Sequence, residues 1–402
     1  MPVLSRCFRR EHHLRYCRGM TLTNTENPAS RVHRASQELS RWLSNDAYPL
    51  WASRGFDPVH RGFHETLDSD ARPADEPRRI RVQLRQVYCF ARAGALGWAG
   101  EAEGLVTAGL SYVRAHYRRP DGLFRTLVAP DGTALDDRAF LYDQAFVLLA
   151  LAQSQQLLGP RPDLIEEARQ LRVALTRHLK RPNGGFGSIV GEPLPLLANP
   201  HMHLLEAALA WMQISADPEW VALADEIVGL AIGPFIDPAT GALRERFAAD
   251  WSQLGSTVGP AVEPGHLFEW AWLLFRWSRA APGPVSRSAE RFVEIGETHG
   301  IHGGLAVNAL LEDLTLSDPS ARLWAQTERL KAAVSLVKRS QESQRWLAVE
   351  TAIGGLSRFL TTPIPGLWHD WVLPDGQFAP ARVPASTFYH LVCAIAELAT
   401  VR

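Results

Sequence analysis

Net charge is almost absent from this chain, and so is sulfur chemistry. Its 42 Lys and Arg residues stand against 43 Asp and Glu, leaving a formal charge of −1 over 402 residues. That balance lacks the electrostatic footprint of a nucleic-acid or anionic-membrane binder, so the expected partner is small or neutral. Only four cysteines occur, Cys7, Cys17, Cys89 and Cys393, with no Cys-x-x-Cys spacing. The last two fall inside apolar helical patterns, which predicts reduced thiols, no disulfide, no zinc knuckle and a cytoplasmic location. No run of about 18 uncharged apolar residues is present, which argues against a spanning helix. Residues 1–20 are basic, with Arg6, Arg9, Arg10, Arg15 and Arg18 against Glu11, and they lack the apolar centre of a secretory signal. Residues 1–27 are therefore expected to form a flexible tail, with Met20 as an alternative start, and residues 28–402 a single catalytic domain.

What the chain has in quantity is helix. Apolar periodicity predicts about twelve segments, near 30–52, 77–97, 101–117, 138–158, 161–180, 200–215, 217–232, 264–281, 284–300, 319–340, 344–360 and 385–400. They are of two kinds. Phe140 to Leu158 and Gly265 to Trp277 are apolar on nearly every face, as a helix buried on all sides must be. Leu164 to Leu179 and Glu290 to Gly300 carry charges at helical spacing and so keep one wet face. Buried and half-buried segments alternate, which predicts an inner ring of helices covered by an outer one.

Two series share one period. A glycine turn followed by a large apolar residue recurs at Phe63, Phe124, Phe186, Leu243, Leu305 and Trp368, in steps of 61, 62, 57, 62 and 63 residues. Several are hairpin signals, such as Pro120-Asp121-Gly122 and Asn183-Gly184. On the helices, Arg85, Tyr142, His203, His266, Glu328 and His390 follow in steps of 57, 61, 63, 62 and 62. Six helix pairs closing on themselves make an all-α (α/α)6 barrel with short β-hairpin connections, and they aim one polar residue per repeat at a common centre.

His203 and His266 each carry a glutamate three residues on, Glu206 and Glu269, on the same helix face. Prolines at 200, 264 and 384 place these positions near helix starts. There the positive end of the helix dipole favours neutral imidazole, a group that accepts protons near pH 7, while Glu206 and Glu269 pull the other way and can fix the tautomer. Each residue also has a plainer reading. A lone histidine on an apolar helix is usually a satisfied core group, and His201, two residues from His203, is read that way. Arg85 could pair with a buried carboxylate such as Glu328. Tyr142 and Asp143 could be core hydrogen-bonders, and most of the 13 tryptophans core packing. Metal binding is the rival chemistry, but neither the Glu-x-x-His pairs of di-iron bundles nor His-Glu-x-x-His is present, so no metal and no cofactor are expected.

The chain resembles the N-acylglucosamine 2-epimerase family of sugar 2-epimerases and aldose-ketose isomerases. The resemblance spans residues 30–402 and rests on Arg85-Gln86, Leu141-Tyr142-Asp143-Gln144-Ala145-Phe146, Asn199 to Ala207, Gly265-His266-x-x-Glu269, Trp324-Ala325-Gln326-Thr327-Glu328 and Phe388-Tyr389-His390. It implies an (α/α)6 barrel and metal-independent proton transfer at C1–C2 of a hexose. His266 and His390 would be the acid/base pair, with Arg85, His203, Glu206 and Glu269 around them and Glu269 orienting His266. Tyr142, Trp324, Glu328 and Trp368 complete the candidate substrate contacts. Cellobiose epimerases are expected to carry two adjacent tryptophans where this chain has Leu323-Trp324, which argues against a disaccharide. The segment Pro384 to Leu391 looks closer to the mannose-isomerase branch, and a monosaccharide substrate and a homodimer are what the resemblance implies. The alternatives are a glycoside hydrolase or lyase on the same barrel, using paired carboxylates among Asp143, Glu206, Glu269 and Glu328, or a non-catalytic sugar-binding barrel.

Overall fold

The computed structural model describes residues 27–191, 195–254, 261–279 and 281–401; the basic segment read as a tail, with Cys7 and Cys17, lies outside them. The helices are α1 (Pro28–Trp42), continued through a π turn into α2 (Tyr48–Arg54), then α3 (Ile80–Ala93), α4 (Ala102–His116), α5 (Leu141–Leu158) and α6 (Pro162–Leu179). They continue with α7 (Ala198–Met212), α8 (Pro218–Ala231), α9 (Pro264–Trp277), α10 (Pro284–His299), α11 (Leu323–Arg339), α12 (Ser343–Phe359) and α13 (Ser386–Leu398). Helices α3, α5, α7, α9, α11 and α13 pack in sequence order around an axis, and α13 returns to α3. The others cover them from outside, with α1 closing the outer ring against α12 and α13. The (α/α)6 barrel is thus observed as expected.

Sequence explains which helix goes where. In α9 every residue from Pro264 to Phe275 is buried, so any face can meet a neighbour. In α10 only Val285, Ser286, Ala289, Phe292, Val293, Ile295 and Gly296 are buried, a single stripe facing inward.

Between helices, each repeat makes a tight turn and a short antiparallel ladder. Gly122, Gly185, Gly241, Gly304 and Gly366 all take left-handed φ between 67° and 90° at the turn; in the first repeat Arg61 does so instead. Three of these turns are clamped by a glutamine one inner helix on. Gln83 accepts from Phe63 N at 2.7 Å and donates to Phe63 O at 2.8 Å, Gln144 does the same for Phe124, and Gln326 for Ala306. In the third repeat His201 accepts from Phe186 N at 3.0 Å and bonds Leu197 O through Nδ1, which confirms its structural reading.

The extended residues ahead of each inner helix then pair with the hairpin of the next repeat: 78–79 with 127–128, Phe140 with Ile189, 196–197 with 246–247, Val262 with Leu310, and 321–322 with 371–372. The sixth pairing, Thr66–Leu67 with Val383–Pro384, joins the two ends of the ring. These ladders are why α3 and α11 begin a few residues later than periodicity suggests. No helix among the described residues is long and apolar enough to cross a membrane, and Cys89 and Cys393 are buried and free.

Candidate active site

The N-terminal ends of the inner helices surround a cavity of about 410 Å³. It is lined by Arg85 (α3) with Arg79 just ahead of that helix, Tyr142 (α5), Asn199 and His203 (α7), His266 and Glu269 (α9) with Glu263 just ahead, and Trp324 (α11) with Arg322 ahead of it. Pro384, Ser386, Thr387 and His390 (α13), with Asp370 and Trp371 from the last hairpin, complete the wall. The structure therefore gathers Arg85, Tyr142, His203, His266, Glu269, Trp324 and His390 at one site. Gly265 makes room for part of it: a Cβ there would stand 2.5 Å from the Trp324 ring.

The two histidines flanking Trp324, with ring centroids 5.1 Å (His266) and 5.9 Å (His390) from it, are held in opposite states. His390 Nδ1 lies 2.8 Å from Glu328 Oε1, and Glu328 Oε2 in turn lies 2.5 Å from the fully buried Lys331. Burial, then the charges of Arg85, Lys331 and His203, push the His390 imidazole well below its ordinary range. With Nδ1–H committed to Glu328, Nε2 of a neutral ring remains as a base.

His266 behaves differently. Burial alone would also lower it, but Glu245 at 2.9 Å and Glu263 at 3.8 Å, both facing Nδ1, outweigh burial and raise it to about 10. Of the two opposing influences the sequence left in balance at this helix start, the carboxylates outweigh the dipole, and they are Glu245 and Glu263. A charged ring donates from both nitrogens. Asn199 presents its side-chain amide 3.1 Å from Nε2, and the amide oxygen, which has no other partner, is the atom that belongs there.

His203 is also neutral, lowered to about 4 mainly by burial. Its Nδ1 sits 3.6 Å from Glu206 and 4.0 Å from Glu269. Glu269 therefore faces His203 rather than orienting His266, a role that falls to Glu245. Burial, and then the nearby Glu328 carboxylate, push the Glu269 carboxyl up. Arg85 donates to Tyr142 Oη at 2.6 Å and to Ser386 O at 3.3 Å, and it lies 4.5 Å over the Phe146 ring. It does not pair with Glu328.

Three other assignments are corrected by the geometry. Glu206 and Glu328 lie behind the cavity wall: Glu206 accepts from Tyr389 Oη and is held at about 2, burial being overcome by His203, Lys331 and Tyr389. Trp368 is buried in the core, stacked on Trp51 at 4.9 Å and Phe388 at 5.7 Å, and touches no part of the cavity. Of its carboxylates the hydrolase alternative keeps only Glu269 on the cavity wall by the same facts and so loses its pair, since Asp143 is also fully buried, against Arg81 at 2.8 Å.

Residues that periodicity missed include Glu245 and Asp370. Both stand two positions after the apolar residue of their turn, as do Glu65, Thr126 and Ser188 in other repeats. The turn series thus carries a polar companion, and that offset was the available signal. Asn199 and Glu263 each precede a proline that marks a helix start, and nothing in that local pattern points to the cavity.

Comparison with known proteins places this geometry. The N-acylglucosamine 2-epimerase (GlcNAc 2-epimerase) family matches residues 62–394. The chain belongs to that family and is a sugar isomerase or epimerase. It is 44% identical over 376 residues to a mannose-6-phosphate isomerase of Rhizobium meliloti (strain 1021), covering 91% of this chain and 97% of that protein. It is 28% identical to a D-mannose isomerase of Thermobifida fusca, over 85% of this chain and 87% of that one. Among solved structures it superposes on the cellobiose 2-epimerase of Bacillus thermoamylovorans B4167 with a TM-score of 0.82 at 16% identity, covering 91% and 99% of the two chains, a likeness of fold.

Proposed function

We propose that the protein interconverts an open-chain aldose of mannose type and its 2-ketose by proton transfer between C2 and C1. The observation that carries this reading is the pair of histidines flanking Trp324 with different partners, His390 on Glu328 at 2.8 Å and His266 on Glu245 at 2.9 Å with Glu263 at 3.8 Å, an arrangement that favours a neutral His390 and a cationic His266.

In this reading the sugar's C–H face lies against Trp324, one of few apolar surfaces in a wall otherwise made of charged and hydrogen-bonding side chains that can meet its hydroxyls. His390 Nε2 removes the C2 proton. The C2–H electrons form the C1–C2 double bond, and the carbonyl electrons move to O1. His266 Nε2, exchanging its bond to Asn199, donates to O1 as negative charge develops, and Arg85, which has no carboxylate partner among the described residues, stabilises the enediolate oxygens. Such donors contribute a few kcal/mol each, and a positioned base about 10²–10⁴ in rate. Return of the proton to C1 and loss of one from O2 completes the ketose. The raised Glu269 carboxyl, beside His203, is placed to hold a sugar hydroxyl. The two curated relatives share the mannose skeleton in their names, which supports that configuration here.

The test is His390→Asn in heavy water, with mannose and mannose 6-phosphate as substrates. Exchange of the C2 proton and ketose formation are expected to vanish while the circular dichroism of the fold is kept. Exchange at the wild-type rate in the variant would overturn the assignment.

A further inference from the structure

The cavity wall away from the histidines carries a charge that the proton transfer does not use. Arg322 is the residue before α11, two positions ahead of Trp324, and its guanidinium lies 4.2 Å over the Trp371 ring. It makes no ion pair among the described residues, and its buried Nε has no hydrogen-bond partner. Every other arginine on this wall is occupied. Arg79, at the same place ahead of α3, is held by Glu65 at 2.7–2.8 Å, and Arg85 by Tyr142 and Ser386 O. Asp370, Asp318 and Glu263 all feel the Arg322 charge, but none is within ion-pair distance of it: Asp370 accepts from Thr387 at 2.7 Å, Asp318 from Ser320 and Asn308, and Glu263 lies against His266.

Between Arg79 and Arg322, whose helices flank α13 on its two sides, lies the start of α13. It has no side-chain cap, and Ser386 and Thr387 of its first turn line the cavity. A planar guanidinium fixed on an aromatic face, in no ion pair among the described residues and sharing the cavity wall with Ser386, can take a tetrahedral dianion bidentately. A neutral hexose gives it nothing of matching charge.

We infer that Arg322, stacked on Trp371 and assisted by Ser386, forms a subsite for a phosphate monoester on the end of the hexose remote from C1, so that the substrate class is hexose 6-phosphates. This rests on the isomerase reading and sharpens it, replacing the neutral partner expected from net charge alone.

The experiment compares mannose 6-phosphate with mannose in the wild-type protein and in Arg322→Met. Wild type is expected to favour the phosphorylated sugar in kcat/KM by at least about 100-fold, and the ratio should fall at least tenfold in the variant, the range of a lost charge-assisted contact. Inorganic phosphate should compete with mannose in wild type, a readout that needs no variant. Turnover of mannose with no preference for its phosphate, or a preference untouched by Arg322→Met, would overturn the subsite while leaving the isomerase reading intact. Turnover of neither sugar would overturn both.

Discussion

Glu245→Gln separates the charged state of His266 from the rest of the site. Moving an imidazole from its ordinary 6.5 to about 10 corresponds to roughly 5 kcal/mol in favour of the charged form. Because His266 is buried, little of that is screened by solvent. Glu245 is the nearest source, at 2.9 Å through a hydrogen bond, and Glu263 lies farther off at 3.8 Å. An opposite charge at such range moves a titration by about 1–3 pH units, and once it is removed burial, the largest single influence, is opposed only by the more weakly placed Glu263 and Glu269.

His266 acts as an acid, so activity should fall as pH rises through its titration. The basic limb of log kcat/KM is expected near pH 10 in wild type and near pH 8 or below in Glu245→Gln. The acid limb belongs to His390, lies below 6.5, and should not move. Linkage gives a second readout. A histidine raised in the folded state stabilises fully below about pH 6.5 and loses that contribution as pH rises towards 10, so the variant should lose most Tm at low pH and least above 10. Profiles from pH 5.5 to 10.5 on both proteins decide the matter. A basic limb in the same place in both would refute the claim that Glu245 holds the proton on His266.

The remaining expectations are simpler. Trp368→Ala should cost about 3–5 kcal/mol in urea unfolding by opening a cavity against Trp51 and Phe388, with KM changed less than twofold; a tenfold rise in KM at unchanged stability would return that ring to the substrate. Chelation should leave turnover unchanged, since the clustered carboxylates Glu269 and Glu328 already have Lys331 as their cation, 2.5 Å from Glu328; activity lost to a chelator and restored by a divalent ion would show otherwise.

Periodicity made the ring legible because six repeats must bury equivalent faces, and that repeats in sequence whatever the side chains. The same phase brought Arg85, Tyr142, His203, His266 and His390 to one cavity. It misplaced Glu206 because depth along a helix changes by about 1.5 Å per residue, which sets it nearly a turn deeper than His203, whereas Glu328 stands as far into α11 as His203 into α7 but is turned to His390 and Lys331. Trp368 misled for a different reason. The turn series marks where the chain reverses, not which way the ring then points, and here it points outward into a stack of aromatics. Charge states were the least readable, since they are set by Glu245 and Glu263 around His266 and by Arg85, Lys331 and His203 around His390, which no local pattern connects.

The ladder between Thr66–Leu67 and Val383–Pro384 pairs residues more than 300 positions apart. A chain made from its N-terminus carries five inner helices before α13 exists, with the apolar flanks of α3 and α11 lacking their neighbour. Contacts of such separation form late and slowly, and an open apolar seam invites pairing between chains. The last helix to arrive is also the one bearing His390, so closure and competence coincide: an unfinished ring is at once the species most prone to aggregate and one without its base.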